Sequence, residues 1–171
     1  MSRAGTLAEV TTLRVGGPAR TLITTHTEAE LIDAVRTADD AREPVLVLGG
    51  GSNVLIGDEG FYGTVVRIAT RGIDADVSTC SGATVRVAAG EDWDSFVARS
   101  VEQEWSGVEA LSGIPGLVGA TPIQNVGAYG QEVSATIASV RTWDRVDRAQ
   151  RTFAMIDCRF GYRTSRFKAA P

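Results

Sequence analysis

Apolar residues recur along this chain at two spacings, and the switch between them marks the elements. Leu31, Val35 and Ala38 follow helical spacing, Thr27 and Glu30 form a capping-box pair ahead of them, and Pro44 ends the pattern. A strand and turn are expected before this helix. After it, the unbroken run Val45–Leu48 reads as a buried strand and residues 64–69 (TVVRIA) as a second. Residues 84–90 (TVRVAAG) alternate around Arg86 and read as a third. Residues 91–105 predict a second helix, with acids in its first turn and Trp93, Phe96, Val97 and Val101 on its apolar face. Residues 137–144 and 151–156 read as strands paired across RVDRAQ. Trp93, Phe96 and Trp143 are expected to be packing residues, and Trp105, just before the glycine-rich stretch, to be partly exposed.

This order lacks a regular strand–helix–strand alternation, so an α+β architecture is expected. Two lobes are expected to meet near Arg67–Asp74, with residues 1–70 in the first and 71–171 in the second. The sequence ends in YRTSRFKAAP, which closes neither a strand nor a helix and reads as part of something longer.

Composition narrows the function classes. Hydrophobic residues make up 43% of the 171 and charged residues 22%, enough for a packed core. A net charge of -4 argues against a broad nucleic-acid footprint. Two cysteines, Cys80 and Cys158, do not make a disulfide framework, and one histidine, His26, does not make a metal site. The N-terminal segment has no apolar core of a signal peptide, so a cytoplasmic location is expected. Between Glu109 and Glu132 no residue is charged, but the stretch is broken by Gly and Pro and carries Gln124 and Asn125. It reads as a loop system, not a membrane span.

Two glycine-rich segments carry the candidate chemistry. In LGGGSNVL, Gly49, Gly50 and Gly51 bare the main chain, and Ser52 and Asn53 add short polar groups. Consecutive N–H groups exposed in this way can cradle a pyrophosphate; the alternative is a tight turn between core strands. Gly49 and Gly51 match the first two positions of a G-x-G-x-x-G fingerprint, but the third position is Val54. The glycines that follow would not sustain the required helix, so the nicotinamide-binding reading fails. In the second segment, LSGIPGLVGATPIQNVGAYG, glycines sit beside Ile114, Leu117, Val118 and Val126, with Gln124 and Asn125 as amide partners. That combination suits a flat ring system; the alternative is an irregular structural loop. Together the two segments fit a flavin dinucleotide.

TTLRVGGPA, PVLVLGGGSNVLIGDEGFYGTVV, AAGEDWDSFV, GVEALSGIPGLVGATPIQNVGAYGQEV and CRFGYRTSRFK occur in this order. From about Thr11 to Lys168 the chain closely resembles the UDP-N-acetylenolpyruvoylglucosamine reductase family of peptidoglycan precursor synthesis. The resemblance implies a two-lobed FAD-binding fold of the vanillyl-alcohol-oxidase type. It places Gly49–Asn53 at the pyrophosphate and Ile114–Gly127 along the flavin and the adenine-diphosphate path, with Ile114, Pro115, Gly116, Gly119, Ala120, Gln124, Asn125 and Gly127 as cofactor contacts. It implies NADPH as hydride donor, a UDP-sugar enolpyruvate as substrate and a monomer.

Spacing puts Arg159 and Arg163 on one face of either a helix or a strand, and by itself favours Arg163 as a surface arginine paired with an acid such as Asp157. The resemblance assigns Arg163 as the cation that polarises the substrate, with Tyr162 as a substrate contact. The family's serine proton donor and its glutamate belong to a C-terminal substrate-binding domain outside this sequence, so turnover by these residues alone is not expected. The other functions considered are another FAD-binding oxidoreductase of the same fold, a non-catalytic FAD-binding module, a nicotinamide-only dehydrogenase and a non-enzymatic contact module.

Overall fold

The first helix forms as its sequence suggests. In the computed structural model, which describes residues 5–78 and 82–169, α1 spans Glu28–Asp40. Thr27 accepts from the Glu30 N–H, and the Glu30 carboxylate accepts from the Thr27 and His26 N–H groups. These bonds satisfy N–H groups that the helix itself cannot. The C-terminus closes without glycine: Arg42 takes φ 53, its N–H reaches the Asp39 carbonyl, and the Glu43 N–H reaches the Ala38 carbonyl. That is a Schellman closure.

The chain divides into two units, the first ending at Arg71 and the second beginning at Gly72. The first contains a three-stranded parallel sheet: β1 (Ala19–Thr25), β2 (Val45–Leu48) and β3 (Phe61–Ile68), in the order β1-β3-β2. The central place of β3 accounts for its four consecutive buried residues, Gly63–Val66, since both of its faces are covered. Val65 faces one core with Leu7, Ala19 and Leu48. Thr64 and Val66 alternate to the other face, where α1 packs. Each such aliphatic side chain stabilises the fold by roughly 1.5–3 kcal/mol on burial. The strand expected to be buried at Val45–Leu48 is an edge strand: Leu48 is buried, but Val47 is 46% exposed.

In the second unit β4 (Ile73–Ser78) pairs antiparallel with β5 (Gly82–Val87), and β8 (Ser139–Asp144) with β9 (Ala149–Ala154). Between them lie α2 (Trp93–Glu102) and the short pair β6 (Gly127–Ala128) and β7 (Gln131–Glu132); α3 (Arg166–Ala169) follows β9. Residues 155 and 156, expected in a strand, instead open the 3-10 turn Met155–Cys158. Helix α2 is shorter than the expected 91–105. Asp92 is its N-cap, accepting from the Ser95 N–H. Glu104 at φ 60 closes its far end, with the Glu104 N–H bonded to Val101 and the Trp105 N–H to Ser100.

Val101 is not on the buried face but 57% exposed. At about 100° per residue it falls about 40° beyond Val97 on the side away from Trp93, whereas Ser100 falls about 20° from Trp93, between it and Phe96. Ser100 is buried and donates its hydroxyl to the Phe96 carbonyl. The core here joins Trp93, Val97, Val108, Leu111, Val126 and Val133. Trp93 Nε1 donates to the Leu111 carbonyl at 3.0 Å, so this indole is both packed and satisfied. Trp105 and Trp143 are half-buried.

Cys158 is buried and unpaired, and its burial pushes the thiol above its ordinary value; Cys80 lies outside the described residues. His26 is exposed, and no group of three or more His, Cys, Asp or Glu able to hold a metal occurs among the described residues. No described helix is long and apolar enough to cross a membrane.

Candidate functional site

The loop at Gly49–Asn53 leaves the C-terminal end of β2, the edge of a parallel sheet where ligands commonly bind. Gly51 has φ 68, and a side chain there would begin 2.3 Å from the Val10 carbonyl oxygen and 2.8 Å from Thr11 Cα. The Thr12 N–H donates to the Gly51 carbonyl at 3.0 Å. The close approach demanding glycine at 51 is therefore the protein's own backbone, which pins the loop from behind. Gly50 and Asn53 face outward. Leu13 (61% exposed) and Leu55 (78% exposed) lie on the segments flanking this contact. Exposed leucines beside bared main chain suit a ligand with an apolar ring and an anionic diphosphate, so these residues fit FAD.

The second glycine-rich segment is also backed by the chain itself. The Trp93 N–H donates to the Gly116 carbonyl, the Val118 N–H to Glu91 and the Gly119 N–H to Ala89. A Cβ on Gly119 would sit 2.5 Å from that of Ala89. Ile114 packs on the core around Trp93, while Pro115, Gly119 and Ala120 are exposed and Gln124 is half-buried. Asn125 does not face outward. It is 1% exposed, and its amide nitrogen donates to Glu132 Oε2 (2.8 Å) and the Gly161 carbonyl (3.1 Å). Its oxygen accepts from the Ser134 N–H (3.1 Å).

The arginine pair is arranged differently from either periodic expectation. Arg159 ends the 3-10 turn in the left-handed conformation, φ 51. Gly161 and Thr164 then exchange main-chain bonds, and Tyr162 and Arg163 (φ 54) form the tip of the turn between them. The two arginines share no helix or strand face, because the intervening residues reverse direction. Arg163 does not pair with Asp157. Its guanidinium donates to the Gly127 carbonyl at 2.8 Å, while Arg166 takes the Asp157 carbonyl.

A cleft of about 610 Å³ results, bordered by Gly127, Tyr129, Glu132, Met155, Tyr162 and Arg163 among others. It gathers Gly127, Tyr162 and Arg163 from the expected site and does not include Ile114–Ala120. Tyr129 and Tyr162 are 93% and 85% exposed at its rim. One cation, held in place by a main-chain carbonyl, and two phenols can orient an anionic substrate. Glu132, Met155 and Phe160 also line it, and sequence reasoning did not select them. Their only signal is a tertiary one, since residues 127–132 and 155–163 meet across nearly thirty positions.

Residues 19–151 match the family described as FAD binding domain. Over 165 residues, 96% of itself, the chain is 66% identical to the UDP-N-acetylenolpyruvoylglucosamine reductase of Cutibacterium acnes and 57% identical to that of Streptomyces coelicolor. It spans 44% and 42% of those two proteins. Among solved structures, the crystal structure of UDP-N-acetylenolpyruvylglucosamine reductase from Thermus caldophilus matches with a TM-score of 0.76 and 31% identity. That match covers 96% of this chain and 56% of the other.

Proposed function

Since the chain belongs to the FAD binding domain family, we propose that it is the cofactor-holding part of a reductase that converts UDP-N-acetylglucosamine enolpyruvate to UDP-N-acetylmuramate at the expense of NADPH. The observation that carries this reading is the cleft, where Arg163 of the YRTS motif is bonded to Gly127 of the NVGAYG motif. The named relatives support the choice of reaction. FAD, when bound, supplies the hydride-carrying chemistry between NADPH and the enolpyruvyl double bond. Gly49–Asn53 hold the diphosphate and the exposed part of Ile114–Gly127 borders the ring.

Arg163 receives the substrate carboxylate. Hydride arrival at the double bond spreads negative charge onto that carboxylate, and a cation fixed beforehand stabilises the later state more than the earlier one. The Gly127 bond supplies that fixing, and the planar fork suits a carboxylate better than lysine would. Tyr162 contacts the substrate at the cleft rim. The proton that completes the reduction is assigned to no residue of this chain, so residues 1–171 alone bind FAD without turning over, as a monomer in the cytoplasm.

Purified protein is expected to be yellow and to release flavin on denaturation. Colourless protein that takes up no added FAD would refute the cofactor reading. NADPH oxidation dependent on the enolpyruvyl substrate, measured on these 171 residues, would refute the inactivity. Extended to the full length of its relatives, the protein is expected to turn over and to lose about a hundredfold in kcat on Arg163→Lys.

A further inference from the structure

Three bonds tie the segment 123–127 to the turn that carries Arg163. Ser165 Oγ donates to the Ile123 carbonyl (2.7 Å), Asn125 Nδ2 to the Gly161 carbonyl (3.1 Å) and the Arg163 guanidinium to the Gly127 carbonyl (2.8 Å). They alternate along one stretch of chain, and each spans 36 to 42 positions of sequence. The middle one comes from a side chain with no donor to spare. Asn125 is 1% exposed, gives both amide hydrogens and accepts at its oxygen, joining Glu132, Ser134 and Gly161. Its φ of 47 is one that asparagine, aspartate and glycine tolerate better than other residues.

We propose that Asn125 is a positioning residue: it fixes the Gly161–Thr164 turn and, through that turn, the place of Arg163 at the cleft. The Gly161 carbonyl it holds also accepts from the Thr164 N–H, which closes the turn. Arg163 sits inside this closure at a left-handed φ of 54, a conformation that persists only where neighbours over-determine it. Ser165 works on the same turn from its other side: it is 3% exposed and its Oγ also accepts from the Phe167 N–H. The inference rests on the reading of Arg163 given above and adds to it the device that holds the arginine still.

The test uses Asn125→Asp, which keeps size and backbone preference but donates to neither Gly161 nor Glu132. In the FAD-loaded chain, hydrogen exchange at the Gly161 and Thr164 amides is expected to quicken about tenfold or more, with the amides of β3 unchanged. Equal acceleration in β3, or none at the turn, overturns the proposal. In the full-length reductase, Asn125→Asp is expected to lower kcat more than it changes KM, and combined with Arg163→Lys to cost no more than Arg163→Lys alone. Losses that multiply would mean the two residues act independently, which also overturns it. If Arg163→Lys leaves turnover intact, the reading of Arg163 fails, and the exchange result alone decides for Asn125. Should Asn125→Asp not fold, Asn125→Gly and Ser165→Ala carry the same two measurements, since each removes bonds to this region while leaving the backbone free to adopt its form.

Discussion

The two glycine-rich segments look alike in composition, but part of the second is held by different means. In the first unit, Gly51–Gly60 is tied by main chain to main chain: Thr12 to Gly51, Gly17 to Gly57, and Gly60 to Gly57. In the second, main-chain bonds likewise hold Gly116–Gly119, but Ile123–Gly127 is tied to the turn at Gly161–Ser165 by the side chains of Asn125, Arg163 and Ser165. Main-chain bonds survive most substitutions and fail when an added side chain blocks their approach. Side-chain bonds fail when the one residue that makes them is changed. Gly51–Gly60 should thus be sensitive to bulk, and Ile123–Gly127 to chemistry.

The sharpest way to break the comparison is Gly51→Ala. The added carbon meets the Val10 carbonyl oxygen at 2.3 Å with φ at 68, so a loss of about 3–5 kcal/mol is expected in denaturant unfolding. Gly119→Ala meets Ala89 at 2.5 Å without a positive φ and is expected to cost less, about 1–3 kcal/mol. Equal losses would mean that backbone conformation matters little at Gly51.

Core truncation sets the scale for both units. Leu48→Ala in the first core and Leu111→Ala in the second are each expected to lose about 2–5 kcal/mol by the same measurement, since both side chains are fully enclosed. A smaller effect at Leu111 would mean that the second core can collapse around the gap.

Thr27→Ala is expected to cost about 1 kcal/mol, because it removes one half of the capping box. The smallest effect is one of pH. N–H bonds from His26, then from Thr27, hold the Glu30 carboxyl below its ordinary value of 4.5. A carboxylate lowered on folding stabilises the protein above its unfolded value, and that contribution disappears as pH falls through the folded one. Glu30→Gln is therefore expected to flatten the acid limb of the stability–pH curve below about pH 4.5, read by denaturant midpoints. The Glu109 carboxyl, lowered by its own N–H and then that of Gly107, adds a second slope of the same sign.

Helix α1, the central strand, the β8–β9 hairpin and the choice of a flavin all follow from local pattern and short motifs. Apolar periodicity and capping pairs are properties of neighbouring residues, so the sequence carries them openly. The helix ends at Arg42 and Glu104 were not legible, because each takes the left-handed conformation without the glycine that signals it. The exposure of Val101 and the edge position of β2 depended on which face and which strand found a partner.

The sequence by itself determined the two longer helices, the strands β2, β3 and β5, the β8–β9 hairpin, the α+β class and the residue types of the site. Only the tertiary structure decided that the Gly51 approach is made by Val10 and Thr11, that Asn125 turns inward, and that Arg163 sits on a turn against Gly127. Each of those outcomes includes a contact between residues dozens of positions apart, and a contact across such a distance leaves no trace in the local pattern at either end.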